Sequence, residues 1–271
     1  MKPFYLTNQK VEYALSEGVS RIFIFVVLFY ISSLSGVMAS PQRVVSLDLC
    51  TDWMLIKYAK PNTVAALSRY IHRYPVDWVT DDWPIHNGSL EQILALEPDL
   101  VIVGEYNALL LRQRLQDLGI NVETLPLPRT LHDVSTYERQ LLTLLDISLD
   151  RASRMPEPYK NTEKPARLLL LGANGIGTGR NTFEDGVLRH AGWENYLVDD
   201  GYIRLDLEQL VMDPPDMVSW SAPTSRALAN QFSEHTVLKK LMTEDQWLKT
   251  NYWHWQCPGP WTWELIGKMR P

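Results

Sequence analysis

Residues 90–101 (LEQILALEPDLV) and residues 207–218 (LEQLVMDPPDMV) are two versions of one unit. Leu, Glu, Gln, Pro, Asp and Val recur at the same offsets, and most of the other positions exchange one apolar residue for another. Each copy reads as a short amphipathic helix, a Pro-Asp turn and a buried strand, LVIVG after the first and MVSWS after the second. A unit that recurs once at this separation predicts two lobes of similar build. The cleft between such lobes is a common place for a ligand.

Around both copies, strands alternate with helices. Arg43–Leu47 reads as a strand, Thr51–Tyr58 as a helix capped by Thr51 or Asp52, and Thr63–Leu67 as a second strand. The long aromatic loop 68–88 precedes the first copy, and loops of that length are usually functional. Leu109–Leu118 follows as a helix closed by Gly119, then Asn121–Leu125 as a strand. Residues 134–149 are helical in period, and Pro156, Pro158 and Pro165 then break the pattern, so 131–165 reads as the connection between lobes. Arg167–Leu171 opens the second half as a strand, Phe183–Ala191 and Val237–Leu241 read as helices, and the tail as a strand or loop with a short helix. The alternation predicts an α/β fold, with lobes over 40–130 and 166–271.

The N-terminus predicts export. Lys2, Lys10 and Arg21 precede the apolar run Ile22–Leu34, which is short for a membrane span, and small residues at Val37 and Ala39 stand in cleavage register. Residues 1–39 therefore read as a signal peptide, with an uncleaved anchor helix as the alternative. No cysteine sits just after the apolar run, which argues against a lipoprotein. The mature chain then occupies an oxidising compartment, where Cys50 and Cys257 can pair, although spacing alone leaves two free thiols equally open.

A net charge of -6 with no basic stripe excludes nucleic acid as a partner. Trp253, Trp255, Trp261 and Trp263 crowd the tail more densely than core filling alone explains. The turn LGANGIGTGR lies between a strand and a helix, but its glycines miss dinucleotide spacing; it reads as a tight turn that leaves Arg180 to meet an anion. His72, His86 and His254 fall in loops at the expected cleft, without the spacing of a metal-ligand pair. No nucleophile elbow, Cys-His set or flanked carboxylate pair is present, so the chain does not read as an enzyme.

The segments RVVSLDLCTD, VAALSRY, HNGSLEQILALEPDLVIVG, LGINVETLPLP, TFEDGVLRHAGWENYL and LDLEQLVMDPPDMV together resemble the class III periplasmic binding proteins of ABC importers for ferric siderophores, haem and cobalamin. The likeness spans nearly all of residues 42–263. It implies two Rossmann-like lobes with mostly parallel central sheets, joined by a linking helix that the prolines shorten here, with the ligand in a cleft between them. It implies a periplasmic monomer without cofactor that carries a metal chelate to a dimeric inner-membrane permease. Glu91 and Glu208 match the acidic residues that dock on that permease; otherwise they are ordinary first-turn helix charges. Tyr70 matches an aromatic that clasps the corrin ring in the cobalamin-binding member, Tyr202 falls where a C-lobe Trp sits, and Trp253, with Trp255 beside it, matches a cleft tryptophan. His86 and Gly104 replace tryptophans of that member, which favours a siderophore over cobalamin, with haem third. Arg69, Arg73 and Arg180 suit carboxylate or catecholate oxygens, and a ligating His86 or Tyr70 would favour haem. Both cysteine loops face the implied cleft floor, where a disulfide would pin the lobes. The rivals are an exported sensor or accessory enzyme on the same fold, and a binder of bare metal ions through His86 and His254.

Overall fold

The computed structural model describes residues 40–160 and 164–271. The signal peptide expected over residues 1–39 lies outside the described residues. Among the described residues, no helix is long and apolar enough to cross a membrane.

The first sheet contains β1 (Val44–Ser46), β2 (Val64–Ser68), β3 (Ile85–His86), β4 (Leu100–Gly104) and β5 (Val122–Leu125). Its order is β3-β2-β1-β4-β5, and every pair is parallel. Helices α1 (Leu49–Tyr58), α2 (Leu90–Ala95), α3 (Leu109–Asp117) and α4 (Leu131–Leu144) accompany it. Strand side chains alternate between faces. Val44 and Ile102 pack with Trp53 and Met54 of α1 and Leu141 of α4. Val45, Val101 and Val103 pack with Ile93 of α2 and Leu115 of α3. Cover on both faces explains why β4 is apolar throughout.

Helix α1 begins before the expected Thr51. Asp48 is its cap, accepting from the Cys50 amide at 2.9 Å and the Thr51 amide at 3.2 Å. Thr51 and Asp52 are instead buried inside the helix.

The second sheet contains β6 (Arg167–Leu171), β7 (Ile176–Thr178), β8 (Glu194–Asn195), β9 (Tyr202–Arg204), β10 (Met217–Trp220) and β11 (Trp247–Leu248). Its order is β11-β10-β6-β7-β9, with β8 also on β6. β6, β8, β10 and β11 run parallel, while β7 pairs antiparallel with both β6 and β9. The reversal lies in the glycine-rich turn. Asn174 and Gly175 take left-handed backbone angles (φ 58 and 70), which return the chain onto β6. The Phe232 ring closes on the Gly175 α-carbon so tightly that a Cβ would meet it at 2.5 Å. These glycines therefore admit neighbouring chain segments and leave no phosphate cradle. Helices α5 (Phe183–Ala191), α6 (Leu207–Met212), α7 (Thr236–Leu241) and α8 (Thr262–Met269) complete the second half.

Helix α4 begins and ends earlier than its period suggests. Thr130 and Asp133 form a capping box at its start. At its end, Asp146 turns left-handed (φ 54) and the Ile147 amide returns to the Leu142 carbonyl at 2.8 Å. The helix touches both cores, burying Val134 with the second sheet and Tyr137, Leu141 and Leu142 with the first. Its buried Glu138 accepts from Tyr58 Oη, from the Ser153 amide at 3.0 Å and from Ser153 Oγ at 2.7 Å. Ser153 Oγ in turn accepts from Trp263 Nε1 at 2.8 Å. The chain α1–α4–α8 is thus tied through one carboxylate.

The tail reaches back to the first sheet. Trp253, Cys257 and Trp261 belong to the first core, where Trp53 meets Trp253 and Trp261 edge-on at ring separations of 5.7 and 5.2 Å. Trp263 packs in the second sheet's core. The crowding of tryptophans arises because the tail fills two cores at once, which single-core filling does not account for.

Candidate functional site

The chain leaves β1 towards β2 and β3 on one side of the first sheet, and β4 and β5 lie on the other. The connections that leave the carboxyl ends of β1 and β4 therefore run to opposite sides, and a crevice opens where connections part in this way. A cavity of about 810 Å³ occupies that place. Its walls come from the loops after β1 (Asp48, Cys50), β2 (Arg69, Tyr70) and β4 (Asn107, Leu110), together with Gln256 and Cys257 of the tail. Asp48 Oδ2 accepts from the Gly104 amide at 2.6 Å, which stitches the two diverging loops together.

Cationic and aromatic groups alternate along one wall. The Arg69 guanidinium lies 5.1 Å from the centre of the Tyr70 ring and donates to Tyr70 Oη at 3.0 Å. Arg73 lies 5.9 Å from the Tyr74 ring, and Tyr74 Oη donates to Gln256 Oε1 at 2.9 Å. Neither guanidinium enters an ion pair among the described residues, so the wall presents positive charge. The opposite, apolar lip consists of Leu109 and Leu110, both more than half exposed.

The structure joins Cys50 to Cys257 with an S–S distance of 2.08 Å, and both line the crevice. The bond ties the start of α1 to the tail, so that Gln256 becomes part of the wall.

Buried polar groups support the floor. His86 accepts at Nδ1 from the Gly88 amide (3.0 Å), which leaves the proton on Nε2 to donate to the Ser46 carbonyl at 2.7 Å. Burial, and to a lesser degree the Arg69 charge, hold its pKa below the ordinary value, although the bond to Ser46 opposes this. The imidazole is a neutral brace between β3 and β1, with both nitrogens engaged. Asp52 accepts from the Ser68 amide at 2.9 Å and from Ser68 Oγ at 2.6 Å. Burial raises its pKa to about 8 against those hydrogen bonds. Burial likewise raises Asp48, against three backbone amides and the Thr51 hydroxyl.

The other expected site residues lie elsewhere. Arg180 is exposed and borders a separate hollow with Asn181, Asp185 and Arg189. Tyr202 is 66% exposed on β9 and donates to Glu184 Oε2 at 3.1 Å. Trp253 is buried in the first core and stacks on His254 at 3.7 Å. Trp255 packs against the second core and donates to Thr250 Oγ1 at 3.2 Å. Among the described residues no group of three or more His, Cys, Asp and Glu side chains is placed to hold a metal ion. Glu91 and Glu208 stand exposed in the first turns of α2 and α6.

Asp48, Tyr74, Asn107 and Gln256 escaped sequence reasoning. Asp48 carries a signal in retrospect, as an acidic residue directly after a strand and before a helix. Gln256 carries none, because only the tail's return to the first sheet places it.

No protein-family model matches the chain, and no curated protein matches it in sequence. Solved structures do match its fold. A possible iron-binding (periplasmic solute-binding) protein from Staphylococcus epidermidis superposes with a TM-score of 0.64 at 16% identity, over 86% of this chain and 98% of that one. A periplasmic heme binding protein from Pseudomonas aeruginosa gives 0.59 at 18% identity, over 84% and 91%. An ABC-type Fe3+-hydroxamate transport system protein from Saccharomonospora viridis gives 0.59 at 18% identity, over 85% and 92%.

The chain has the two-lobe solute-binding fold.

Within that fold, the crevice is formed by the first sheet and the tail, and the second sheet's Arg180 and Tyr202 stand outside it.

Proposed function

We propose that this protein is the periplasmic substrate-binding component of an ABC importer, and that it captures an anionic metal chelate, a ferric siderophore in preference to cobalamin or haem. The observation that carries the reading is the crevice at the carboxyl ends of β1 and β4, walled by Arg69 with Tyr70 and Arg73 with Tyr74. Unpaired guanidiniums recognise carboxylate, catecholate or hydroxamate oxygens, and tyrosine rings give contact area with a polar tip. His86 offers no free ring nitrogen to a haem iron, since a backbone amide and a carbonyl occupy both. The fold shared with periplasmic iron, haem and hydroxamate binding proteins supports the transport class.

In this reading residues 40–130 form the first lobe, 131–165 the connection and 166–271 the second lobe, whose tail straps back onto the first. The chain acts as an exported monomer. It makes and breaks no bond, and it docks through Glu91 and Glu208 on a dimeric permease.

Tryptophan-fluorescence titration tests the reading, since Trp53 lies beside Tyr74, and Trp53 and Trp78 both meet Trp253 and Trp261 of the tail. The panel comprises ferric catecholate, hydroxamate and hydroxycarboxylate siderophores, cobalamin and haem. Saturable binding of a ferric siderophore, weakened by salt and by Arg73→Ala, is expected. Binding of cobalamin or haem alone overturns the ligand assignment, and binding of none overturns the transport reading.

A further inference from the structure

We propose that the chelate carries an apolar arm and that a second groove, on the second sheet, holds it. The proposal rests on the chelate-binding reading and names the ligand class more narrowly, as an amphiphilic chelate. β10 and β11 end at Trp220 and Leu248, and a groove of about 540 Å³ opens at those carboxyl ends. Trp220 and Trp247 are half-buried, packed against the core of Val218, Leu238 and Met242, and also line the groove. Tyr252 completes the aromatic wall.

The charges on its rim cancel one another. Lys239 pairs with Glu234 at 2.5 Å, and Lys249 with Glu244 at 3.6 Å. The groove therefore offers aromatic surface without net charge, in contrast to the arginine wall of the first crevice. Its aromatic wall suits an alkyl or acyl chain, and its two lysines are already engaged by glutamates.

The two hollows lie side by side. Tyr74 lines the crevice and Tyr252 the groove, and their rings are 5.8 Å apart. Gln256 joins them, accepting from Tyr74 Oη at 2.9 Å and donating from Nε2 to the Tyr252 carbonyl at 3.3 Å. A ligand with its head between Arg69 and Arg73 reaches the tryptophans by crossing this pair of rings. Adjacency to the charged crevice through Tyr74, Gln256 and Tyr252 is what selects an arm of the same ligand as the occupant, in preference to a peptide or a second copy of the chain.

Two probes test the proposal on the oxidised mature protein: the ferric complex of a citrate-hydroxamate head, and the same head carrying a saturated acyl chain of about ten carbons. Each methylene buried is worth up to roughly a fourfold gain in affinity. The acylated probe is expected to bind at least about tenfold more tightly, given several such methylenes. Trp220→Ala and Trp247→Ala are expected to erase that advantage and leave the affinity of the short head within about twofold, since the head contacts neither residue. Should the alanine variants fail to fold, a bromine at the chain end replaces them: it quenches wild-type emission, and Trp220→Phe with Trp247→Phe removes that part of the quenching. Equal affinity for both probes overturns the groove and spares the chelate reading. So does an acyl advantage, or a bromine quench, that survives the tryptophan variants. Failure of both probes and of every siderophore in the panel overturns the chelate reading itself.

Discussion

Arg167 and Asp216 hold each other from both directions. The Arg167 amide donates to Asp216 Oδ2 at 2.7 Å, and the Asp216 amide donates to the Arg167 carbonyl at 3.0 Å. Arg43 and Asp99 repeat the arrangement, at 3.1 Å and 3.2 Å. In each case the guanidinium also reaches a carbonyl past the end of the repeat helix, Pro214 from Arg167 and Leu96 from Arg43, both at 2.8 Å. The Pro-Asp turn of the repeated unit is therefore a clamp that sets β10 beside β6 and β4 beside β1.

Removing the clamp has a predictable cost. Asp99→Ala strands the Gln42 and Arg43 amides and Asp216→Ala the Arg167 amide, at roughly 1–2 kcal/mol per site. Urea unfolding measures both. The sites lie on different sheets, so the double variant is expected to lose the sum of the two. Unchanged midpoints would show that water satisfies these amides as well as the carboxylates do.

The repeat was legible because it is local: a cap, a short amphipathic helix, a turn and a strand, all within a dozen positions. β6 and α5 fall at their expected residues for the same reason, since period and caps agree there. What escaped was long-range. Nothing near Trp253 or Trp261 announces that they pack on Trp53, and Gln256 joins the crevice only through that return. Tyr70 and His86 were singled out by the family resemblance and by the long loop that carries them, and they stand at the carboxyl ends of β2 and β3. Arg180 follows β7, which runs antiparallel to β6, and Tyr202 opens β9, so both stand at the edge of the sheet where β6 begins, and neither lines the cavity.

Stability is expected to depend on Asp52. Its folded pKa of about 8 lies above the ordinary aspartate value, because burial outweighs the Ser68 hydrogen bonds and Asp48 adds repulsion. The folded protein keeps a proton that the unfolded chain releases above about pH 4. The stabilisation is therefore full below pH 4 and is lost as pH rises towards 8. Urea midpoints at pH 5 and pH 8 measure the loss. Asp52→Asn, which is neutral at both, is expected to flatten this part of the profile; an unaltered slope would place the titration elsewhere.

The Cys50–Cys257 bond closes a loop with a sequence separation of 207 and holds the tail against α1. A link of that length constrains the unfolded chain strongly, at roughly 2–5 kcal/mol. Cys50→Ser with Cys257→Ser is expected to lose that amount in denaturant unfolding. Trp253 and Trp261 still pack on Trp53 in the variant. The tail therefore stays seated, and chelate affinity falls only several-fold as Gln256 gains freedom. Free thiols at both positions in the exported protein would remove the basis of this expectation.

Glu91 and Glu208 occupy equivalent places in the repeated unit, each one residue into its helix. Neither is needed as a cap. Ser89 Oγ accepts from the Gln92 amide at 3.3 Å, and Asp206 Oδ1 accepts from the Glu208 and Gln209 amides at 2.9 and 3.2 Å. Reversing either charge costs only the first-turn dipole interaction, about 0.3–1 kcal/mol. Both carboxylates lie outside the lining of the crevice and of the aromatic groove. Glu91→Arg with Glu208→Arg is expected to leave chelate Kd within about twofold while abolishing permease-dependent uptake, because each reversal places like charges against a basic docking pocket. Single reversals are expected to give intermediate uptake. Uptake by permease-containing proteoliposomes, measured beside fluorescence titration of the same preparations, separates the two effects. If affinity falls in step with uptake, the two residues belong to ligand capture and the docking assignment is wrong.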